Sequence, residues 1–435
     1  MAYTVPYRKA TLSFDLPATM RVQVATSKPI APLANPGAAI RQAVAHPIDS
    51  PALGKLAKAG DRVAIIFTDI TRASPDYLFL PPVLEELAAA GVRDEDVILI
   101  CGVGMHRPST DAEKIEKLGR ELVQRYRVID HDARDPGGLV DLGVTESGVP
   151  LSVNRVAYEA DLLIATGLVE PHQYAGYSGG SKTLSIGAGG EKMIAYTHGA
   201  LMIDHPGTRL GQIDGNPFQE AVTEAARRAG LTFVVNAVLN DDKQIVAVKA
   251  GAPQATHRAL VEEARAMYEA PIDRQFDIAI GGVGYPKDEN LYQASRAASY
   301  LYFAPTPVVK PGGFFIIPAP CNEGAGDGVG EQRFLKAMQD APDIDFILKD
   351  ARQNGYPPGQ QRAFVMAKVL EEMRVIFVGA EDPKLIRSAK FLAEPTVEAA
   401  VQRAAGELGR DDLDVLVVPH ALLTLPIVQN PDRGA

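Results

Sequence analysis

The sequence predicts an α/β protein of two domains, each built on a mostly parallel sheet covered by helices. Three observations carry this. Short aliphatic runs alternate with helical patterns along most of the 435 residues, which is the rhythm of parallel strands buried on both faces. The rhythm breaks at Pro271, after a charged helix, and restarts at Asp277. A chain of this length holds two to four domains at about 100–200 residues each. The expected division is 1–270 and 271–435.

Taken in order, Arg62–Thr68 is a continuous apolar run and reads as a buried strand. A helix follows from about Tyr77 to Ala90, with Leu84, Leu87 and Ala88 on one stripe. Asp96–Cys101 is the next strand. Ser109 and Thr110 offer an N-cap for a helix around Asp111–Tyr126. Ala160–Thr166 is a strand entering a Gly-rich loop, and Leu231–Leu239 pairs with Gln244–Val248 through Asn240–Asp242. Thr256–Glu269 is a helix with Leu260, Val261 and Ala264 inward, ended by Pro271. The second domain supplies strands at Asp277–Ile280, Gly313–Ile317, Val375–Val378 and Asp414–Val418.

Composition excludes several classes. Lys plus Arg number 44 against 54 Asp plus Glu, a net charge of −10. With no basic block, nucleic acid is not an expected partner. Two cysteines, Cys101 and Cys321, make neither a disulfide framework nor a Cys-rich metal site. No run approaches the roughly 18 apolar residues of a membrane span, and Met1–Asp15 lacks the apolar core of a secretory signal. The expectation is a soluble cytoplasmic protein.

Ligands of open parallel sheets sit beyond the carboxyl ends of the strands, which selects three loops. The first is Asp69-Ile70-Thr71-Arg72, where Arg72 either grips an anion or pairs with Asp69 to brace the turn. The second is Gly104-Met-His106-Arg-Pro108. Its histidine follows two glycines, and imidazole is the side chain suited to proton transfer near neutral pH. The third, Glu170–Thr183, gathers His172, Ser178, Gly179, Gly180 and Lys182. Tyr174 stands where a Walker-type phosphate loop needs its first glycine, so a nucleoside triphosphatase is rejected. Gly-rich amides beside a lysine still suit an anion. His198 and His205 follow; of the rest, His257 reads as an exposed helix position and His46, His131 and His420 as structural. In the second domain Gly281–Arg296 runs from a strand into a helix carrying Tyr292, Gln293 and Arg296, and Cys321–Gly328 is a Gly-rich loop that either lines a cleft or is a surface turn.

Together these segments resemble the nickel-dependent lactate racemase family. The matching motifs are Asp69-x-Thr-Arg72, Gly104-x-His-Arg-Pro108, His172-x-x-Ala-Gly-x-Ser-Gly-Gly-x-Lys182, His198 at the family's distance from that lysine, and Tyr285-Pro-x-Asp-x-Asn-x-Tyr-Gln293. The resemblance spans about Pro6–Val418. It implies two α/β domains with the active site in the interdomain cleft. It also implies a nickel pincer nucleotide, the Ni(II) pyridinium-3,5-bisthiocarboxylate mononucleotide, tethered at Lys182. His198 is then the protein nickel ligand, and Asp69, Ile70, Thr71, Arg72, Ser178, Gly179 and Gly180 lie along the cofactor. His106 and His172 are the implied acid/base pair of a 2-hydroxy-acid racemase or epimerase, working by reversible hydride transfer through a 2-keto acid. Arg72, Tyr292 and Gln293 hold the substrate. Inversion needs a proton acceptor on each side of the substrate, which is why two histidines are required. Cofactor loading implies separate biosynthetic proteins as partners.

The chain departs from the family's lactate enzymes at three places. Ser181 replaces an arginine, Arg296 replaces a substrate lysine, and Gln361, followed by Arg362, stands about where they carry tryptophan. The added guanidinium groups point to a substrate more polar than lactate: malate first, then an aldonic acid such as gluconate, then lactate. Two alternatives stand beside this reading. One is a zinc hydrolase built on His106, His172 and His198; the other is a carrier of the nickel cofactor without turnover. Sequence leaves the oligomeric state open.

Overall fold

The computed structural model describes residues 2–357 and 359–429. Two six-stranded sheets form its frame. In the first, the spatial order is Ile245–Gly251, Leu231–Leu239, Leu162–Leu168, Val63–Thr68, Val97–Gly102, Arg127–Asp130. All are parallel except the Ile245–Gly251 edge, which returns antiparallel through the turn at Asn240. The second is wholly parallel: Leu392–Glu394, Arg374–Val378, Val309–Pro318, Phe276–Gly281, Asp414–Val418, Arg21–Val24. The fold class read from the strand–helix rhythm is the one observed.

Central strands such as Val63–Thr68 and Phe276–Gly281 are buried almost end to end, as a sheet covered on both faces requires. Helices Asp76–Ala89 and Pro36–Ala45 pack Phe79, Leu80, Val83 and Ile40 on one face of the first sheet. One apolar cluster then crosses between the two units, joining Tyr174, Met193 and Phe218 to Leu291, Tyr300, Phe334 and Phe364.

Three expectations are corrected. Residues 2–25 do not fold with the first unit. Arg21–Val24 extends the second sheet beside Asp414–Val418, and the hairpin of Ala2–Tyr7 and Ala10–Asp15 buries Val5 and Phe14 against Ile278, Phe314 and Val415. The apolar residues of this opening segment complete a sheet edge formed much later in the chain. The helix expected over Asp111–Tyr126 is two, Asp111–Leu118 and Arg120–Arg125, because Gly119 takes φ 85° and breaks the turn. Its start is as expected: the Thr110 hydroxyl accepts from the Glu113 amide, and the Glu113 carboxylate accepts in return from the Thr110 amide. The helix at Pro253–Tyr268 ends before Pro271, since Glu269–Ile272 becomes a strand paired with Leu425–Val428.

The first sheet has a topological switch point. From Val63–Thr68 the chain moves to Val97–Gly102 and Arg127–Asp130 on one side, then returns to place Leu162–Leu168 on the other. The loops leaving the carboxyl ends of these strands diverge there and leave a crevice.

Candidate active site

A cavity of about 860 Å³ fills that crevice, with the second unit supplying its facing wall. Asp69, Arg72, His106, Glu170, His172, Ser178, Gly179, Lys182 and His198 line it from the first unit. Tyr292, Val329, Arg333, Tyr356 and Gln361 line it from the second. No helix among the described residues is long and apolar enough to cross a membrane.

The loop after Val63–Thr68 is shaped from below. Lys117, on the helix Asp111–Leu118, donates to the carbonyls of Arg72 (2.7 Å) and Ser74 (2.8 Å) and lies 3.2 Å from the Asp76 carboxylate. Asp76 is fully buried and also accepts from Thr68, Ser74 and Thr166. Above this network Asp69 accepts from the Thr71 hydroxyl (2.7 Å) and the His106 ring (Nδ1–Oδ2 2.7 Å). Burial alone would raise the Asp69 carboxyl, but the His106 and Thr71 hydrogen bonds outweigh it and hold it below its usual value. Asp69 thus orients His106, not Arg72; the Arg72 guanidinium instead lies 3.9 Å from Glu170. With Nδ1–H donated to a carboxylate, the Nε2 of His106 keeps its lone pair.

His172 is fixed in the opposite sense. Its Nδ1 accepts from the amides of Tyr174 (3.2 Å) and Ala175 (3.1 Å), so the neutral ring carries its proton on Nε2. Burial first, then the charges of Lys182, Arg72, His198 and Arg296, push its pKa well below the usual imidazole value. His198 donates Nδ1–H to the Ile194 carbonyl at 2.9 Å, leaving Nε2 free. Burial and the Lys182 charge lower it to about 4 despite that carbonyl. Tyr174 and Phe218 pack edge-on or tilted against both imidazoles at 5.2–6.0 Å, and the Tyr356 hydroxyl from the second unit donates to the His198 carbonyl at 2.8 Å.

Lys182 opens the short helix Lys182–Ser185 and is 9% exposed. Burial, then the Arg72 charge, lowers its amine to about 7, against a small opposing pull from Glu170. An amine so tuned is substantially uncharged and nucleophilic at neutral pH. The adjoining floor demands glycine. The Gly104 amide donates to the Gly187 carbonyl at 2.8 Å, and a Cβ on Gly187 would lie 2.3 Å from the Thr183 carbonyl.

Other predicted site residues stand back from the cavity. Ile70 and Thr71 support the loop, and Gly180 donates to Asn236 (2.6 Å) and packs on His257. Gln293, Arg296 and Arg362 lie behind the wall formed by Tyr292, with Arg362 stacked over the Tyr292 ring at 5.4 Å. Loop 321–328 does not line the cavity; Val329, Gly330 and Arg333 just beyond it do. His205 does not line it either, its Nδ1 accepting from Gly207. His257 is buried, not exposed as expected: its Nε2–H donates to the Ser178 carbonyl at 2.9 Å. Among the described residues no three His, Cys, Asp or Glu side chains converge as metal ligands. The three histidines of the zinc reading therefore do not form a ligand set. Sequence reasoning missed Lys117, Tyr356 and Gly187. None sits in a recognisable motif, and each acts through backbone carbonyls or close approach.

Comparison with known proteins bears on this arrangement. Residues 7–211 match the model of the lactate racemase N-terminal domain and 273–425 that of the C-terminal domain. The chain is 32% identical to a lactate racemase of Lactiplantibacillus plantarum, over 88% of this chain and 89% of that one. It is 31% identical to a lactate racemase of Thermoanaerobacterium thermosaccharolyticum, over 86% and 87%. The lactate racemase apoprotein structure from the latter organism superposes with a TM-score of 0.86 at 28% identity, covering 98% of this chain and all of that one. A Thermotoga maritima protein structure at 19% identity and TM-score 0.64 shares the fold.

Proposed function

Because the chain belongs to the lactate racemase family, we propose that it inverts the configuration of a 2-hydroxy acid through a 2-keto acid, using a nickel pincer nucleotide tethered at Lys182. The observation that carries this is one cavity holding two oppositely oriented imidazoles, a near-neutral buried amine and a third imidazole with a free nitrogen.

The residues present fit such a group. Lys182 offers an uncharged amine for a covalent tether, and His198 offers Nε2 to nickel with its other nitrogen fixed by Ile194. Gly102, Gly179 and Gly187 let backbone approach a flat ring. When bound, the group supplies hydride acceptance and return.

The chain's own residues do the rest. Arg72 faces the substrate carboxylate. His106 takes the hydroxyl proton on Nε2, and Asp69 stabilises the imidazolium so formed. His172 presents Nε2–H to the substrate oxygen on the other side. For the opposite enantiomer the roles exchange, and His172 must turn from the Tyr174 and Ala175 amides to accept a proton. The Lys182 charge opposes that protonation. Acylating the amine removes the charge, so tethering and a competent second base are linked.

The substrate order is malate, then an aldonic acid such as gluconate, then lactate, with Gln361 on the cavity wall and the Arg296 and Arg362 guanidinium groups behind Tyr292 favouring a polar substrate end. The test is an intact mass with nickel quantified on protein co-produced with cofactor-biosynthesis proteins, beside Lys182→Ala. A mass increment and nickel, absent from the variant, followed by racemisation on a hydroxy-acid panel, is expected. An unmodified chain from a strain that loads a known racemase would overturn the cofactor assignment.

A further inference from the structure

We propose that Gln173, Arg296, Ser299 and Arg362 form a subsite for a second carboxylate, so that a 2-hydroxy dicarboxylate is the class of substrate selected. This rests on the racemase reading above and deepens it.

Three buried donors in this cluster have no protein partner: Gln173 Nε2, Arg296 Nε and Arg362 Nε. They belong to one connected group. Arg362 donates to the Ser299 hydroxyl at 2.8 Å, and the one proton of that hydroxyl lies between two acceptors, the Arg296 carbonyl at 3.0 Å and Gln173 Oε1 at 3.3 Å. Arg296 donates to Gln293 (3.2 Å) and to the Tyr300 hydroxyl (3.1 Å). Gln173 is 4% exposed and Arg362 7%. Neither guanidinium has a carboxylate within ion-pair distance among the described residues, whereas the buried Lys117 sits against Asp76. Burying two guanidinium ions without a counter-charge is unfavourable. A fold keeps such a pair where an anion completes it.

The unmet atoms are donors only, and this chooses the ligand. A hydroxyl both donates and accepts, so a polyol chain would leave its own protons unmatched here. A carboxylate accepts only and meets guanidinium in two-pronged geometry. The position is also suitable. Gln173 follows His172 in sequence, and Arg296 lies one helical turn after Tyr292 and acts electrostatically on His172. The cluster stands one side-chain layer behind the cavity wall, screened by the Tyr292 ring, so movement of that ring admits the ligand. Arg72 remains for the carboxylate beside the reacting carbon.

The experiment compares kcat/KM for malate and lactate in loaded wild-type enzyme, Arg362→Met and Gln173→Leu. Calorimetric binding of malate and lactate to the unloaded proteins runs in parallel. Wild type is expected to prefer malate. The malate-to-lactate ratio should fall about tenfold or more in each variant, chiefly through KM, and malate binding to unloaded protein should weaken with it. Gln173→Leu adds no charge change and keeps the test available where Arg362→Met fails to fold. Turnover with an unchanged ratio, or a wild-type preference for lactate, overturns the subsite while the racemase reading stands. Malate binding that depends on Arg362, with no turnover of any hydroxy acid, supports the subsite and overturns the racemase reading.

Discussion

Replacing Lys182 by methionine should stabilise the unloaded protein. The folded amine titrates at about 7, while an unfolded lysine titrates near 10.4. The folded state therefore binds a proton less readily than the unfolded state, and wild-type stability must rise with pH between these values. Linkage makes the penalty about 4 kcal/mol at pH 7 and about 2 kcal/mol at pH 9, vanishing near the unfolded pKa. Methionine has a similar reach, fills the same 9%-exposed site and carries no charge. The expected result is a variant more stable by up to about 4 kcal/mol at pH 7, with the advantage falling by about 2 kcal/mol at pH 9. The assay is urea unfolding at both pH values, followed by far-ultraviolet circular dichroism because the chain has no tryptophan. A variant less stable than wild type at pH 7, or an advantage independent of pH, would refute the claim that burial holds this amine near neutrality. The same charge is among the causes that depress His172. The His172 ring should thus titrate higher in Lys182→Met, read by NMR of the ring protons.

Other expectations follow from neighbouring residues. With His106 as the proposed base, Asp69→Asn removes the carboxylate hydrogen-bonded to its ring and should lower kcat of loaded enzyme about 100-fold or more, with little change in melting temperature. Lys117→Met leaves the Asp76 carboxylate buried without its cation and two carbonyls unmet, and should cost about 3–5 kcal/mol in an unfolding titration. His257 is held at about 4 by burial, against the Ser178 carbonyl, so it resists protonation while the unfolded ring titrates near 6.5. Stability is lost as pH falls between these values, by about 2 kcal/mol at pH 5. His257→Gln should remove about one proton from the slope of stability against pH in that window; an unchanged slope sinks the assignment.

What sequence revealed and what it hid divide along physical lines. Strands such as Val63–Thr68 and Leu231–Leu239 were legible because burial on both faces leaves unbroken aliphatic runs. The loops at their carboxyl ends were legible because chemistry there needs rare residues, and His106, His172, Lys182 and His198 do share one cavity. Hidden were relations that depend on distant chain. Residues 2–25 complete a sheet whose neighbouring strand starts at Asp414, and nothing local distinguishes that from a strand of the first unit. His257 reads as a surface position from helix periodicity, but Gly180, with no Cβ to hold the ring away, draws it inward. Asp69 and Arg72 are close enough in sequence to suggest a pair, whereas the short acid reaches across a strand to His106 and the long base extends toward Glu170. The opposed polarity of the His106 and His172 imidazoles was equally invisible. It is set by one carboxylate and two backbone amides, of which only the carboxylate has a side chain to be read. On the racemase reading proposed above, in which two bases exchange roles, the main-chain amides of Tyr174 and Ala175 hold His172 as the proton donor, and the first half-reaction starts from that state.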